Sequence, residues 1–382
     1  FQAGNDVTTG IKNVFVGGRA GDALTDADFN VALGYEALTA DTKGSRSVAI
    51  GYQALEAQNF TTATDSYNVA VGFNAAEAIT TGLYNTVIGG NAGISLGNVQ
   101  RNVVLGTFAL DACSHGSRTT ALGYAALSGQ DYGTTATDSH NTAVGNEAGL
   151  NVTSGVQNTL VGSRTGDSLT DSDFNVAMGF EALAGDTLGS RSTAIGTFAL
   201  KTQNFTTANN VLNVAVGYSA GSSITTGKNS VFIGGNAGDA LTTGDRNVAV
   251  GTSALGADTK GARNVAVGNA ALTTQNFTTS TNSYNTAVGY NAGTSVTTGK
   301  YNTFVGGLAG DAMMNGENNV AVGYEALSTE DGHGKNVAIG NYALQVCNTG
   351  LTGLDGQNVA VGHEAGIAVE LGVMNVFVGS EA

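Results

Sequence analysis

Short stretches of this chain alternate with period two. Five-residue segments of the type Asn-Val-Ala-Val-Gly carry an aliphatic residue or threonine at the second and fourth positions, and a small or polar one at the first, third and fifth. Such alternation predicts a short β-strand with two distinct faces. The segment opens a nine-residue phrase, Asn-(Val/Thr)-Ala-Val-Gly-x-x-Ala-(Leu/Gly), that returns 21 times, nearly always with a 17-residue period; clear copies begin at Asn30, Asn247, Asn319 and Asn358. A period this short and strict predicts a solenoid, in which each unit buries its apolar face only against its neighbours. The expected fold class is all-β, a parallel β-solenoid or β-roll of about 21 coils with that 17-residue period.

Individual positions sharpen that expectation. Glycine fills the fifth position of every copy, as at Gly17, Gly34, Gly51 and Gly72, which points to positive φ or close backbone approach. Coils stacked in register would set the first-position asparagines, Asn30, Asn68, Asn247 and Asn319 among them, into amide ladders. Positions six to nine predict a second short strand or a turn, and the Thr/Ser/Gly/Asp stretch after them a closing loop. Two helices with their turns do not fit in a 17-residue unit, and Gly, Thr and Asn outnumber helix formers, which excludes an α-solenoid.

A longer period is superimposed. Every fourth step lengthens from 17 to 21 or 22, so a four-coil superunit of about 72–73 residues recurs about five times within one continuous array over residues 1–382. The third position, usually Ala, is bulky once per superunit: Phe15, Val87, Leu160, Phe232, Phe304 and Phe377, with Val104 as an extra case. The ninth position cycles Gly, Leu, Leu, Gly, with Ala76 the one departure. Longer loops fall near 56–67, 128–140, 201–212, 273–284 and 345–357. The first four share a motif, Gln58-Asn59-Phe60, Gln130-Asp131-Tyr132, Gln203-Asn204-Phe205 and Gln275-Asn276-Phe277. The array begins and ends in mid-coil, the pattern expected of a segment of a longer protein. Each coil holds few large apolar side chains. The small Ala and Gly of the second strand face are therefore expected to pack against another chain, in a side-by-side homotrimer.

Composition narrows the function classes. Charged residues make up 12%, Pro and Trp are absent, and 57 glycines follow no three-residue period, which excludes collagen and disorder. A net charge of −15 argues against nucleic acid as a partner. No run of about 18 apolar residues occurs, so no membrane insertion is expected in this segment. Cys113 and Cys347 lie 13 repeats apart, about 60 Å at about 4.8 Å per coil, beyond disulfide reach. Strict repetition leaves little room for a catalytic pocket, and no enzyme activity or cofactor is expected.

Ser47-Val48-Ala49-Ile50-Gly51 and Ser192-Thr193-Ala194-Ile195-Gly196 resemble the head repeats of trimeric autotransporter adhesins. The segment from Asn285 to Ala292 is similar to repeats of phage tail-fibre-like proteins that end in a self-cleaving chaperone domain. The resemblance covers essentially the whole chain. It implies left-handed parallel β-rolls, three chains side by side, displayed on bacterial surfaces for attachment. The localisation it implies is extracellular, on a cell surface or as a virion fibre. The coil here is longer than the adhesin head coil, and the insertion at every fourth coil is not part of that pattern.

Few candidate sites stand out on this frame. The insertion aromatics Phe60, Tyr132, Phe205 and Phe277 either tuck under their own loops or form a row of ligand-contacting loops. Asp26 with Asp28, and Asp171 with Asp173, are candidate Ca²⁺ pairs, against a competing account as solvated turn residues. His115, His140, His333 and His363 lie in different coils, with no recurring Cys or carboxylate beside them. Thr-Thr-Gly segments at Thr80, Thr225 and Thr297 raise ice binding, but they recur only every fourth coil. The leading expectation is a non-enzymatic fibre or adhesin segment, acting as rigid spacer and attachment surface, with a host surface glycan or protein as partner. The alternative is a monomeric β-solenoid module binding glycan or ice.

Overall fold

The computed structural model describes residues 2–329, 332–347, 355–369 and 372–382. It divides into two compact units, Phe1–Arg191 with Thr206–Asn209, and Ser192–Phe205 with Asn210–Ala382. Each unit is a parallel β-solenoid. The first carries ten three-residue strands from Val14–Val16 to Val176–Met178; the second carries eleven, from Thr193–Ile195 to Val376–Val378. The chain is therefore all-β with about 21 turns, and the described residues contain no helix. Within each unit, equivalent residues pair along the ladder: Val31 with Val48 and Ala32 with Ala49 in the first, Val248 with Val265 and Ala249 with Ala266 in the second.

The two strand faces are inverted relative to the sequence expectation. Ala32, Ala49, Ala249 and Ala266 are fully buried, as are Asn30, Asn68, Asn247 and Asn319, whereas Val103, Leu105, Met178 and Ile233 are 41–50% exposed. The small face thus lines the interior of each turn and is not available to another chain; the branched apolar side chains point outward. The cause is volume. A 17-residue turn closes over a narrow cross-section, which Asn, Ala and the ninth-position leucines Leu38, Leu55, Leu255 and Leu272 already fill.

The buried asparagines explain why first positions tolerate so little change. Asn30 donates from Nδ2 to the Gly44 carbonyl of its own turn (2.9 Å), and its Oδ1 accepts the Ser47 N–H of the next turn (2.8 Å). Asn68, Asn247 and Asn319 repeat this arrangement. The column is therefore chiefly a side-chain-to-backbone ladder that satisfies interior N–H and C=O groups. Amide-to-amide bonds join it at places such as Asn85 to Asn68 and Asn264 to Asn247 (both 3.2 Å).

At the end of each strand the chain turns at the invariant glycine. Gly51 has φ +133°, and a Cβ there would lie 2.2 Å from the Gly72 carbonyl oxygen of the next turn. Positive φ and close approach both apply. Positions six to nine form a turn rather than a strand, with left-handed residues such as Glu36 and Leu38 (both φ 56°).

The four-coil period has a packing origin. The Phe232 ring lies between ninth-position Gly221 and Gly238, where an added Cβ would come within 2.7 and 2.4 Å of it. Phe304 is flanked in the same way by Gly293 and Gly310, and Leu160 by Gly149 and Gly166. One large third-position side chain thus occupies the space that two ninth-position leucines fill elsewhere. At Val87 the flanking positions are Ala76 and Gly93, so the smaller third-position residue coincides with the added methyl group. Phe15 and Phe377, in the first and last turns, are half-buried.

Candidate interaction surface

The outward strand face of each unit is an uncharged apolar band. Second and fourth positions hold only Val, Thr, Ile, Leu or Met, and in-register pairing sets them into columns. In the unit Phe1–Arg191, ten strands at about 4.8 Å spacing and three residues of about 3.3 Å each give a face of about 480 Å². A face of that size falls within the range of the largest apolar patch on an ordinary monomer, which is often a functional one.

Exposed aromatic and cationic columns flank the band. At the sixth position Tyr52 stacks on Tyr35 and Phe73, with ring centroids 5.7 and 5.1 Å apart. On the other side, the residue before each first position takes a left-handed conformation, as at Arg46 (φ 64°) and Tyr67 (φ 49°), and projects outward. There Lys12, Phe29, Arg46, Tyr67, Tyr84 and Arg101 form an alternating cation–π and stacked series, with Tyr67 and Tyr84 5.9 Å apart. Arg263, Tyr284 and Tyr301 repeat it in the second unit. Each such contact contributes about 0.5–1 kcal/mol at exposed sites. Sequence reasoning passed over these columns because the residues vary in identity from turn to turn; their shared register was the available signal.

The insertion aromatics are turned inward. Phe60, Phe205 and Phe277 are only 5–6% exposed, and half-buried Tyr132 donates its hydroxyl to the Gly155 carbonyl (3.0 Å). They pack beneath their own loops, the first of the two arrangements weighed for these rings. Beneath them lies a polar network that the sequence reading missed. Fully buried Asp41 accepts the Gly44 and Phe60 N–H groups (3.0 Å each) and the Gln58 amide (2.6 Å). Gln58 in turn reaches Ser47 Oγ (2.8 Å) and accepts from Asn68 (2.8 Å). Asp258 and Gln275 repeat the arrangement beneath Phe277. Burial pushes both Asp carboxyls above their ordinary range, against the opposing pull of these hydrogen bonds. Cys113 takes the Asp position in the second superunit, 3.6 Å from the Gln130 amide nitrogen, and burial raises its thiol likewise. Both cysteines are buried and neither is in a disulfide. The fifth insertion lies largely outside the described residues.

The remaining candidates have structural partners. Asp26 Oδ1 accepts from Thr9 Oγ1 (2.6 Å) and Asp28 Oδ1 from the Ile11 N–H (2.8 Å). Asp171 and Asp173 repeat this with Ser154 and Val156, and Asp245 with the Lys228 N–H. Each carboxylate ties its loop to the preceding turn. Thr ladders do run through adjacent turns, contrary to the expectation that such threonines recur only every fourth coil. Thr8, Thr25 and Thr42 form one, and Thr225, Thr242 and Thr259 another. Their hydroxyls are engaged by carbonyls of the following turn. Among the described residues, His363, Glu364 and Glu381 form one half-exposed to exposed cluster with ligand atoms within 4.8 Å of one another. His333 is buried and His115 contacts Ser114 Oγ (2.8 Å). No helix among the described residues is long and apolar enough to cross a membrane.

No protein-family model matches this chain, and no curated protein matches it either.

Proposed function

We propose that this chain is a non-enzymatic segment of an extracellular fibre, a bacterial surface adhesin or a phage tail fibre. It would assemble as a homotrimer and act as spacer and attachment surface. The observation that supports the reading is the outward band of Val, Ile, Leu and Thr columns, uncharged on a chain of net charge −15. Like chains repel through their charged surfaces. A charge-free band is the face on which copies meet without placing like charges together, and burying it gains about 25 cal/mol per Å². The adhesin and tail-fibre resemblance supplies the extracellular setting. The stacked aromatic columns would then meet a host surface glycan or protein.

Sedimentation equilibrium tests the assembly. The expected mass is three times 38.2 kDa, about 115 kDa, and Ile233→Glu together with Val250→Glu on the band is expected to yield monomer with unchanged circular dichroism. A wild-type monomer at micromolar concentration refutes the homotrimer. It would favour the alternative, a monomeric glycan-binding module using the Tyr35, Tyr52 and Phe73 column, which a glycan array then tests directly.

A further inference from the structure

We propose that Asn315 is a site of spontaneous deamidation, through attack of the Gly316 backbone nitrogen on the Asn315 side-chain carbonyl. The sequence contains many asparagines, but Asn315 is the only one followed by glycine. Ring closure requires the following N–H to approach the side-chain carbon, and glycine, without a Cβ, obstructs that approach least.

Among the described residues neither reacting group is held by a hydrogen bond, although Gly316 itself is buried. Asn315 is exposed, and the Gly316 carbonyl accepts from Asn302 Nδ2 (2.8 Å). Two residues at the same position in other superunits, Asp26 and Asp171, are restrained by their side chains, which are bonded to Thr9 and Ser154 of the preceding turn. The equivalent N–H at Gly155, in a neighbouring turn, is bonded to the Thr170 carbonyl (3.2 Å).

The chemistry uses only water. The deprotonated Gly316 nitrogen forms a bond to Asn315 Cγ, the Cγ–Nδ2 bond breaks, and ammonia leaves with a proton from solvent. Water then opens the succinimide at either carbonyl, to give aspartate or isoaspartate. The aspartate product has the identity that Asp26 and Asp171 already have in this loop. The isoaspartate product inserts a methylene into the backbone just before the carbonyl that Asn302 holds, and so disturbs the register on which the turn depends.

The test is peptide mapping by mass spectrometry of the folded full chain aged in mildly alkaline buffer, with isoaspartate labelled by protein isoaspartyl methyltransferase. Conversion is expected to concentrate at Asn315 and to accelerate with pH. Asn315→Thr, the residue pair found at Thr243-Gly244, should remove that signal while leaving the fold intact. The isoaspartyl fraction should melt below Asn315→Asp. Conversion confined to a denatured control, or spread evenly over the other asparagines, overturns the proposal.

Discussion

Replacing Asn247 with alanine tests whether the interior ladder holds each turn. Its Nδ2 donates to the Gly261 carbonyl at 2.9 Å, and its Oδ1 accepts the Asn264 N–H at 3.0 Å. Asn247→Ala leaves both backbone groups buried without these partners, at about 1–3 kcal/mol each, or about 2–6 kcal/mol together. Asn247→Ser is a calibrated intermediate, because the protein already contains it: Ser230 Oγ accepts the Asn247 N–H at 3.1 Å. Serine thus keeps the bond to the next turn and loses the one to Gly261, an expected cost of about 1–3 kcal/mol.

Solenoid stability is a sum of local and nearest-neighbour contributions, so the readout must be local. Hydrogen exchange at the Asn264 amide serves. A loss of about 2 kcal/mol accelerates exchange about 30-fold, since about 1.4 kcal/mol is a factor of ten. The alanine variant should show at least that acceleration and the serine variant distinctly less, with the Asn358 amide unchanged in both. Equal exchange at Asn264 in the two variants refutes the assignment of the Oδ1 bond as the link between turns.

Gly51→Val should lower the melting temperature further than Tyr52→Ala. The first places a Cβ 2.2 Å from the Gly72 carbonyl oxygen in a backbone strained by about 1–3 kcal/mol; the second loses two stacked contacts of about 0.5–1.5 kcal/mol each. Equal temperatures contradict the close-approach role. Asp311 provides a pH test, since burial, with a smaller contribution from Glu325, pushes its carboxyl up to about 6, and its Oδ1 is buried without a hydrogen bond. A folded pKa above the unfolded one means that this residue's contribution is full at low pH and is lost as pH rises through about 6. The neutral amide introduced by Asp311→Asn does not titrate, so that variant should be the more stable protein at neutral pH, and the difference should vanish on acidification; thermal melts across that range would show a constant offset if the reasoning fails.

The fold was largely legible because three independent regularities agreed: alternation at positions one to five, the invariant glycine, and the 17-residue period. Gly51 and Asn30 were identified by repetition alone, and the structure supplies their geometry. The covariation of Phe232 with Gly221 and Gly238 was visible as a four-coil rhythm, but its meaning required knowing that these side chains share one interior. The buried Asp41 and Gln58 pair escaped notice because polar residues in a loop-rich stretch read as solvated. Their signal was positional, since Asp41, Asp186 and Asp258 all sit at the twelfth position of the turn before an insertion whose own twelfth position is Gln.

The inverted strand faces show where alternation stops being informative. Period-two patterning defines two faces and does not state which is interior; that is ordinarily inferred from hydrophobicity, because a large core rewards large side chains. A 17-residue turn has no large core, so its interior is chosen by volume and by backbone satisfaction. Asn30 and Ala32 meet those two requirements, the first by bonding Gly44 and Ser47, the second by fitting a narrow section. Val31 and Leu33 are left outside, where apolar area persists in evolution only if something covers it or its exposure is tolerated. The same geometry that hides the asparagines therefore builds the uncharged outer band, and the mass of the assembly in solution decides what that band is for.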